Sequence, residues 1–477
     1  MFPSKAARLA RGAVSPGNNR SGTIYNPTPA LLAGRIVPDS EIPIVRMPKP
    51  NSRSLRYHQT ITLGLLFLAG IVNFLDRSSL SVANTTVRAE MHLNATQMGW
   101  LLSAFSFAYG LSQLPLIGLL DRVGTRWVLG AGLTVWSAAQ MLTGLVRTLP
   151  TFLVLRVLLG AGEGPFYPSG IRCTREWFSS EVRGRATGFM SSSSNFGVAL
   201  APPLLTALML AMGWRAMFVL LGALGLVVAA LWIALHRPRR DTPFAEAADD
   251  SVRGTASASA TDVKASTEPA WRALLRQRTV WGMMFGWGGI NYTVWLYLAW
   301  LPAYLEGERH LSLAKSGWVA ALPFLAGAIG MLLNGVITDR LARAGFPLTK
   351  IHRRNLVLGM IASALGTFFV AHAATTAQAV AGTSAALFFI HYAGTSGWGY
   401  VQTISPLRYV ASLGALQNFF SFMIASAAPV LTGWLLDRTH SFTIALGVCS
   451  GVTLFGALCY ATVAAPSGMH LEPDPVQ

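Results

Sequence analysis

Two pairs of opposite charge stand inside stretches that are otherwise apolar enough to cross a lipid bilayer. Asp76 and Arg77 follow Asn73-Phe74-Leu75, and Arg156 precedes Glu163 in Arg156-Val-Leu-Leu-Gly-Ala-Gly-Glu163-Gly-Pro-Phe-Tyr-Pro168. A charge near the bilayer centre costs at least about 2.5 to 3.5 kcal/mol on insertion scales, so it normally faces a partner or a water-filled cavity. Arg156 and Glu163 lie about two helical turns apart and share a face, while Gly160 and Gly162 leave room for neighbouring helices. Adjacent residues on a helix point about 100° apart, so Asp76 and Arg77 serve two tasks instead of one tight pair. Arg77, permanently protonated and fork-shaped, suits a carboxylate held by two parallel hydrogen bonds. Asp76 and Glu163 can gain or lose a proton: burial favours the neutral acid, a neighbouring arginine favours the charged form, and Arg156 is placed to tune Glu163. Together these side chains could trade an organic carboxylate against protons in a hydrated hollow at mid-depth. The alternative is a structural ion pair that only locks helices together.

Such side chains need a membrane scaffold, and the composition supplies one. Of 477 residues, 52% are hydrophobic and 12% charged, with a mean hydropathy of +0.45, which excludes an ordinary soluble protein. The net charge of +17 would suit nucleic acid, but Lys and Arg fall in particular loops and line no single face, so no nucleic-acid partner is expected. Cys173, Cys449 and Cys459 have neither metal-ligand spacing nor the even count of a disulfide framework, and read as packing residues. No catalytic, metal or cofactor motif is legible: there is no phosphate-cradling G-x-x-x-x-G-K-[ST], no H-E-x-x-H and no serine elbow. The expectation is a non-enzymatic carrier that draws on a proton gradient and needs no cofactor.

Apolar runs of about 20 residues between charged or Pro/Gly-marked turns predict twelve spans. They lie near 58–82, 97–119, 127–146, 150–171, 185–211, 214–235, 280–305, 316–338, 354–373, 378–401, 411–436 and 442–464. This is an all-α membrane protein with a basic disordered tail at 1–57, a six-helix bundle at 58–235, a polar linker at 236–279, a second six-helix bundle at 280–465 and a short tail at 466–477. Met47 stands shortly before the first apolar run, and nothing upstream of it carries chemistry. With the N-terminus in the cytoplasm, both tails and the even-numbered connections hold 29 of the 37 Lys and Arg. Only six lie on the opposite side, and Arg77 and Arg156 stay within spans, so both termini are predicted inside.

The halves repeat each other. Gly118-Leu-Leu-Asp121-Arg122-Val-Gly124-Thr-Arg126 after the second span has a copy in Gly335-Val-Ile-Thr-Asp339-Arg340 after the eighth. Parallel six-helix repeats are the arrangement in which one half rocks against the other around a midplane site. An acid at a helix end can pair with an arginine, or with the positive N-terminal end of a neighbouring helix, as a latch that breaks on rocking. Further polar groups on the spans could complete a cavity: Tyr109 and Gln113 on the second, Ser191 to Asn195 on the fifth, Asn291, Tyr292 and Trp295 on the seventh, and Trp398, Gln402 and Asn418 on the tenth and eleventh. Hydroxyls, amides and indole N–H groups are what orient a polyhydroxylated ligand.

The twelve spans and the Gly118 to Arg126 motif resemble the major facilitator superfamily. A narrower set of motifs is similar to its anion:cation symporter branch, which includes bacterial galactonate, glucarate and hexuronate carriers and vesicular glutamate and sialic acid transporters. These motifs are Asn73-x-x-Asp76-Arg77, Met98-Gly99-Trp100, Arg156-x-x-x-Gly160-x-Gly162-Glu163, Arg183-Gly184-Arg185-Ala186 and Trp300-Leu301-Pro302. The resemblance implies an inner-membrane symporter in which Asp76 and Glu163 are protonation sites, Arg77 holds the substrate carboxylate, and Tyr109, Trp398 and Asn418 line the cavity. Two positions depart from the branch's galactonate carriers: Phe74 replaces a tyrosine, and Ser194-Asn195 stands where those carriers have a glutamine. Both leave room for a less hydroxylated or aromatic carboxylate beside the sugar acids. A further alternative is an anion exchanger without proton coupling. The working unit is expected to be a single chain in the lipid bilayer.

Overall fold

The computed structural model describes residues 52–239 and 270–464. The tails and most of the linker lie outside the described residues. Fifteen helices follow one another without a strand among the described residues: α1 Ser52–Val82, α2 Asn84–Glu90, α3 Ala95–Val123, α4 Thr125–Thr143, α5 Leu149–Glu163, α6 Phe166–Trp177, α7 Ser180–Leu235, α8 Ala270–Leu275, α9 Arg278–Gly307, α10 Leu313–Arg343, α11 Leu348–Ala371, α12 Thr376–Ile404, α13 Leu407–Ala425, α14 Ala427–Thr439 and α15 Thr443–Thr462.

These helices make up the twelve spans. α7 is the fifth and sixth joined through Gly213, whose backbone is non-helical there; α5 with α6 forms the fourth and α13 with α14 the eleventh. Among the described residues seven stretches are long and apolar enough to cross a membrane. The helices that fall short, α3, α4, α9 and α12, still sit at span positions, and they are rich in Ser, Thr, Gly, Trp or Tyr. Two boundaries differ from the sequence reading. α1 starts at Ser52, inside the predicted tail, and the linker's last turn folds as α8, where Leu274 is fully buried against the second bundle.

Local chemistry sets the helix ends. Asn94 caps α3 in a reciprocal box with Gln97, and Thr375 does the same for α12 with Gln378, so first-turn amides find partners. Gly124, at φ +86°, makes the turn from α3 into α4 with a backbone that a side chain would strain. The break at Gly164-Pro165 ends α5 at Glu163.

In the first half α1 and α4 pack on α7, and α5 packs on α3 and α4; in the second, α12 packs on α10 and α11, while α9 packs on α13 and α15. The halves meet through α3 with α13 and α14, α7 with α10, and α1 with α9. Large apolar side chains such as Trp318, Leu332, Phe196 and Leu365 face outward, as a protein solvated by lipid requires. On the side away from the termini, hydrogen bonds stitch the halves together from Ser81 to Ala299, Thr85 to Glu306 and Val430 to Ser103. On the terminal side Asp121, Arg122, Asp339 and Arg340 are exposed, and a side chain added at Gly118 or Gly335 would meet nothing within 4 Å.

Candidate functional site

The four intramembrane charges converge. α1 presents Asp76 toward α4 and Arg77 toward α3 and α5, the divergence their adjacency demands. Trp136 of α4 lies beside Asp76, and Gln140 one turn on donates to Ser79 at 2.9 Å. α5 reaches the same place because it approaches two helices closely. A Cβ at Gly160 would stand 2.3 Å from the Phe105 carbonyl oxygen of α3, and one at Gly162 2.8 Å from the Trp136 nitrogen of α4. Asp76, Arg77, Arg156 and Glu163 are all buried, with Asp76 and Glu163 at 0% exposure.

Arg77 Nε donates to Glu163 Oε2 at 2.7 Å, in an ion pair across α1 and α5. The cation stands at the C-terminal end of α5, where unpaired carbonyls and the helix dipole also favour positive charge. Three aromatic faces surround the guanidinium: Tyr109 at 4.6 Å, Phe74 at 4.9 Å and Phe105 at 5.5 Å. Arg156, expected to tune Glu163, stays within electrostatic reach of it but makes no ion pair with it; it donates to the Leu101 carbonyl at 3.4 Å and lies over Phe105 at 5.4 Å. Two turns along α5 aligned the two residues, but a better-placed cation on α1 took the carboxylate.

Both carboxylate oxygens of Asp76, the Asn73 amide, Glu163 Oε1, Arg77 Nη2 and Arg156 Nη1 are buried without a hydrogen-bond partner. Each such atom costs about 1 to 3 kcal/mol. A group of them around one ion pair is therefore expensive for stability and marks a site with work to do. The expected open hollow is not met in this conformation. Phe105 of α3 meets Trp295 of α9 at a ring separation of 5.7 Å, Tyr109 of α3 meets Phe422 of α13 at 4.7 Å, and Trp295 and Phe422 meet each other at 5.8 Å; this aromatic lid closes over Arg77 from both halves.

Of the other predicted cavity residues, Asn291 and Asn418 come together through Ser421 in the second half. Asn291 Nδ2 donates to Ser421 Oγ at 2.7 Å, and Ser421 in turn donates to the Asn418 carbonyl. Trp398 is exposed and stands edge-on to Trp287 at 5.5 Å, apart from Arg77. Asn195 lies on α7, but its side chain is outside the described residues. Its neighbour Ser194 bonds the Tyr167 hydroxyl. Among the described residues no group of His, Cys, Asp or Glu is arranged to hold a metal.

Residues 66–413 match the Major Facilitator Superfamily. The chain belongs to that superfamily. It is 46% identical over 413 residues, covering 86% of this chain and 90% of the relative, to the "Probable L-galactonate transporter" of Escherichia coli (strain K12). It is 32% identical to the "Probable galactarate/D-glucarate transporter GarP" of the same strain, over 84% of this chain and 94% of that one. The fold matches a crystal structure of a D-xylose-proton symporter with a TM-score of 0.69 at 15% identity, over 87% of this chain and all of that one. This major facilitator protein is thus a multi-pass membrane transporter and not an enzyme.

The superfamily motif after α3 does not reach the other half in this conformation. Asp121 accepts from Arg172 Nη1 of α6 at 2.7 Å, within its own half. Arg126 donates through Nε and Nη2 to the Ile233 carbonyl at the end of α7, and Trp232 donates back to the Arg126 carbonyl. Its work is to tie the turn after α3 to the last span of the first bundle. Arg122, Asp339 and Arg340 are exposed to solvent. Reading the sequence missed Trp136, Gln140, Phe105 and Phe422 as neighbours of the charges. Their only local signal is spacing: Trp136 and Gln140 are one turn apart, and Phe105 is one turn before Tyr109.

Proposed function

We propose that the protein carries a sugar-acid anion, a hexonate, aldarate or hexuronate, together with protons into the cytoplasm by alternating access. It would sit in a bacterial inner membrane with both termini cytoplasmic and work as a monomer without a cofactor. The observation that carries this reading is the 2.7 Å pair of Arg77 and Glu163. A guanidinium whose Nε is held by Glu163 has its charge already balanced by one carboxylate, and a second anion on its remaining edge would stand against that buried charge. Leaving a buried partner uncompensated costs about 3 to 5 kcal/mol, so Arg77 must exchange one anion for another.

A proton on Glu163 neutralises that carboxylate and releases Arg77. The substrate carboxylate takes its place, with the Tyr109 hydroxyl and the Asn291, Ser421 and Asn418 group available to the polyol chain once the aromatic lid parts. Asp76, close to Glu163 and Arg156 and beside Trp136, is the second protonation site. Empty and deprotonated, the two acids and two arginines sum to zero; with two protons and a monoanion bound they and their guest carry one net positive charge, and that charge crosses the membrane when the halves rock. Higher cytoplasmic pH then removes the protons, Glu163 recovers Arg77, and the anion is expelled. Two protons with one monoanion move net positive charge inward, so the membrane potential contributes about 2.3 kcal/mol per 100 mV.

Uptake into proteoliposomes tests this through Glu163→Gln. The variant should exchange labelled for unlabelled substrate yet lose proton-driven accumulation; full accumulation would remove Glu163 from the mechanism. Exchange without coupling is disfavoured because α9 carries no Lys or Arg beyond its first residue to oppose Arg77 from the second half. The aromatic enclosure of Arg77 by Phe74, Phe105 and Tyr109 favours a second substrate class, aromatic carboxylates. A thermal-shift panel of hexonates, hexuronates, aldarates and aromatic carboxylates separates the two, because only a bound ligand raises the melting temperature.

A further inference from the structure

The densest polar contact between the halves involves neither the charge cluster nor the superfamily motif. Asp437, in the last turns of α14, accepts the backbone N–H of Ala95 at 2.9 Å, the backbone N–H of Thr96 at 2.7 Å and the Thr96 hydroxyl. Both amides belong to the first turn of α3, where N–H groups lack intrahelical partners and the helix dipole is positive. The helix's own cap, Asn94, serves Gln97, so the second half supplies what Ala95 and Thr96 need. The contact is reciprocal. Ser103 of α3 accepts the N–H of Val430, in the first turn of α14, at 3.1 Å.

The two helices are built to touch along this line. A Cβ at Gly99 would stand 2.6 Å from the Pro429 carbonyl oxygen, and one at Gly433 2.2 Å from the Ala95 carbonyl oxygen. Arg88 of α2 adds a positive charge near Asp437 and lines, with Thr85, Glu308, Leu436 and His440, a crevice of about 270 Å³ between the halves. At the opposite end of α3, Asp121 is exposed and paired within its own half. The outer end of this helix crossing is thus tied across the halves, while the acid at its inner end is tied within its own half.

We propose that Asp437 and Thr96 are positioning residues of the transport cycle: they form the outer latch, which holds the periplasmic entrance closed while the cytoplasmic ends stand apart. Opening outward requires α14 to withdraw the carboxylate from the first turn of α3. Loss of the latch shifts the protein toward the outward-open state without touching the residues that bind anion or proton.

The proposal rests on alternating access, and its test uses neither substrate nor proton gradient, so it stands or falls apart from the sugar-acid and coupling reading. Ser81→Cys puts a nearly isosteric thiol in the closed outer seam, where Ser81 is 2% exposed. Gly335→Cys puts one at the inner end of α10, where an added Cβ meets nothing. The native cysteines are buried and give little background. Rates of reaction with a membrane-impermeant maleimide are measured in the full chain, from outside in right-side-out vesicles for Ser81→Cys and from inside in inverted ones for Gly335→Cys. Asp437→Ala should raise the outer rate about tenfold and lower the inner rate by a similar factor. Thr96→Val, which removes one of the three bonds, should do the same about threefold, and Thr96→Ser should leave both rates as they were. Thr96→Val also carries the test if Asp437→Ala fails to reach the membrane. Unchanged rates at both positions would overturn the latch. So would a rise at both, which would mean that Asp437 only holds the fold together.

Discussion

The two halves share a helix plan and differ in what they place at mid-depth. The first half buries two acids and two arginines within reach of one another, and leaves several of their polar atoms without partners. The second half buries amides and hydroxyls that largely satisfy one another: Asn291 with Ser421 at 2.7 Å, Thr293 with Thr453 at 2.6 Å, Asn334 with Ser396 at 2.8 Å. The exceptions there are neutral: both amide atoms of Gln417, the Ser363 and Thr432 hydroxyls and the Trp287 indole N–H are unpartnered. A satisfied neutral network rigidifies, whereas an unsatisfied charged one waits on protons and a ligand. Buried charge is thus concentrated in one bundle, while the other presents neutral hydrogen-bonding groups; in the proposed mechanism charge transfer belongs to the first.

The largest effect should come from removing the cation that the first half is built around. Arg77→Gln leaves Glu163 buried and uncompensated, a loss of about 3 to 5 kcal/mol, and uptake should fall more than a hundredfold. Arg77→Lys should not restore it, because a point charge lacks the fork. Adding Glu163→Gln to Arg77→Gln should recover the melting temperature but not transport; a double variant as unstable as the single would mean that the pair does not interact as the 2.7 Å contact requires. The comparison sharpens with a smaller change in the second half. Asn291→Ala removes a neutral donor worth about 1 kcal/mol, so KM for a sugar acid should rise about fivefold while kcat and proton coupling hold. A loss of coupling in that variant would break the division of labour between the halves.

The smallest effect belongs to a charged contact away from mid-depth. Glu90 at the end of α2 accepts from the Trp214 indole and from Arg215 Nε at 2.9 Å, and the Trp214 hydrogen bond chiefly holds its carboxyl below the usual range. A depressed acid contributes stability above its unfolded pKa and loses that contribution as pH falls through the lowered folded value. Melting of the wild type and of Glu90→Gln should therefore differ slightly at neutral pH, by under about 1 kcal/mol for an exposed pair, and converge in strong acid. A Glu90→Gln loss as large as that of Arg77→Gln would show that burial is not what separates the two regions.

The sequence by itself determined the membrane class, the number of spans, the repeat of two bundles and the identity of the ionisable residues within them. Those features depend on composition and on the length of apolar runs, which local chemistry fixes. It also anticipated that Gly160 and Gly162 would admit neighbouring helices, because a missing side chain is a local property. Which cation faces Glu163 was decided only in three dimensions. Spacing along α5 aligned Arg156 with it, but α1 delivers Arg77 more directly, and partner choice between helices depends on how their faces are rotated and not on separation along one of them. The aromatic lid and the bond from Asp437 to α3 were likewise invisible in the chain. Each joins residues more than 180 positions apart, brought together only when the bundles dock.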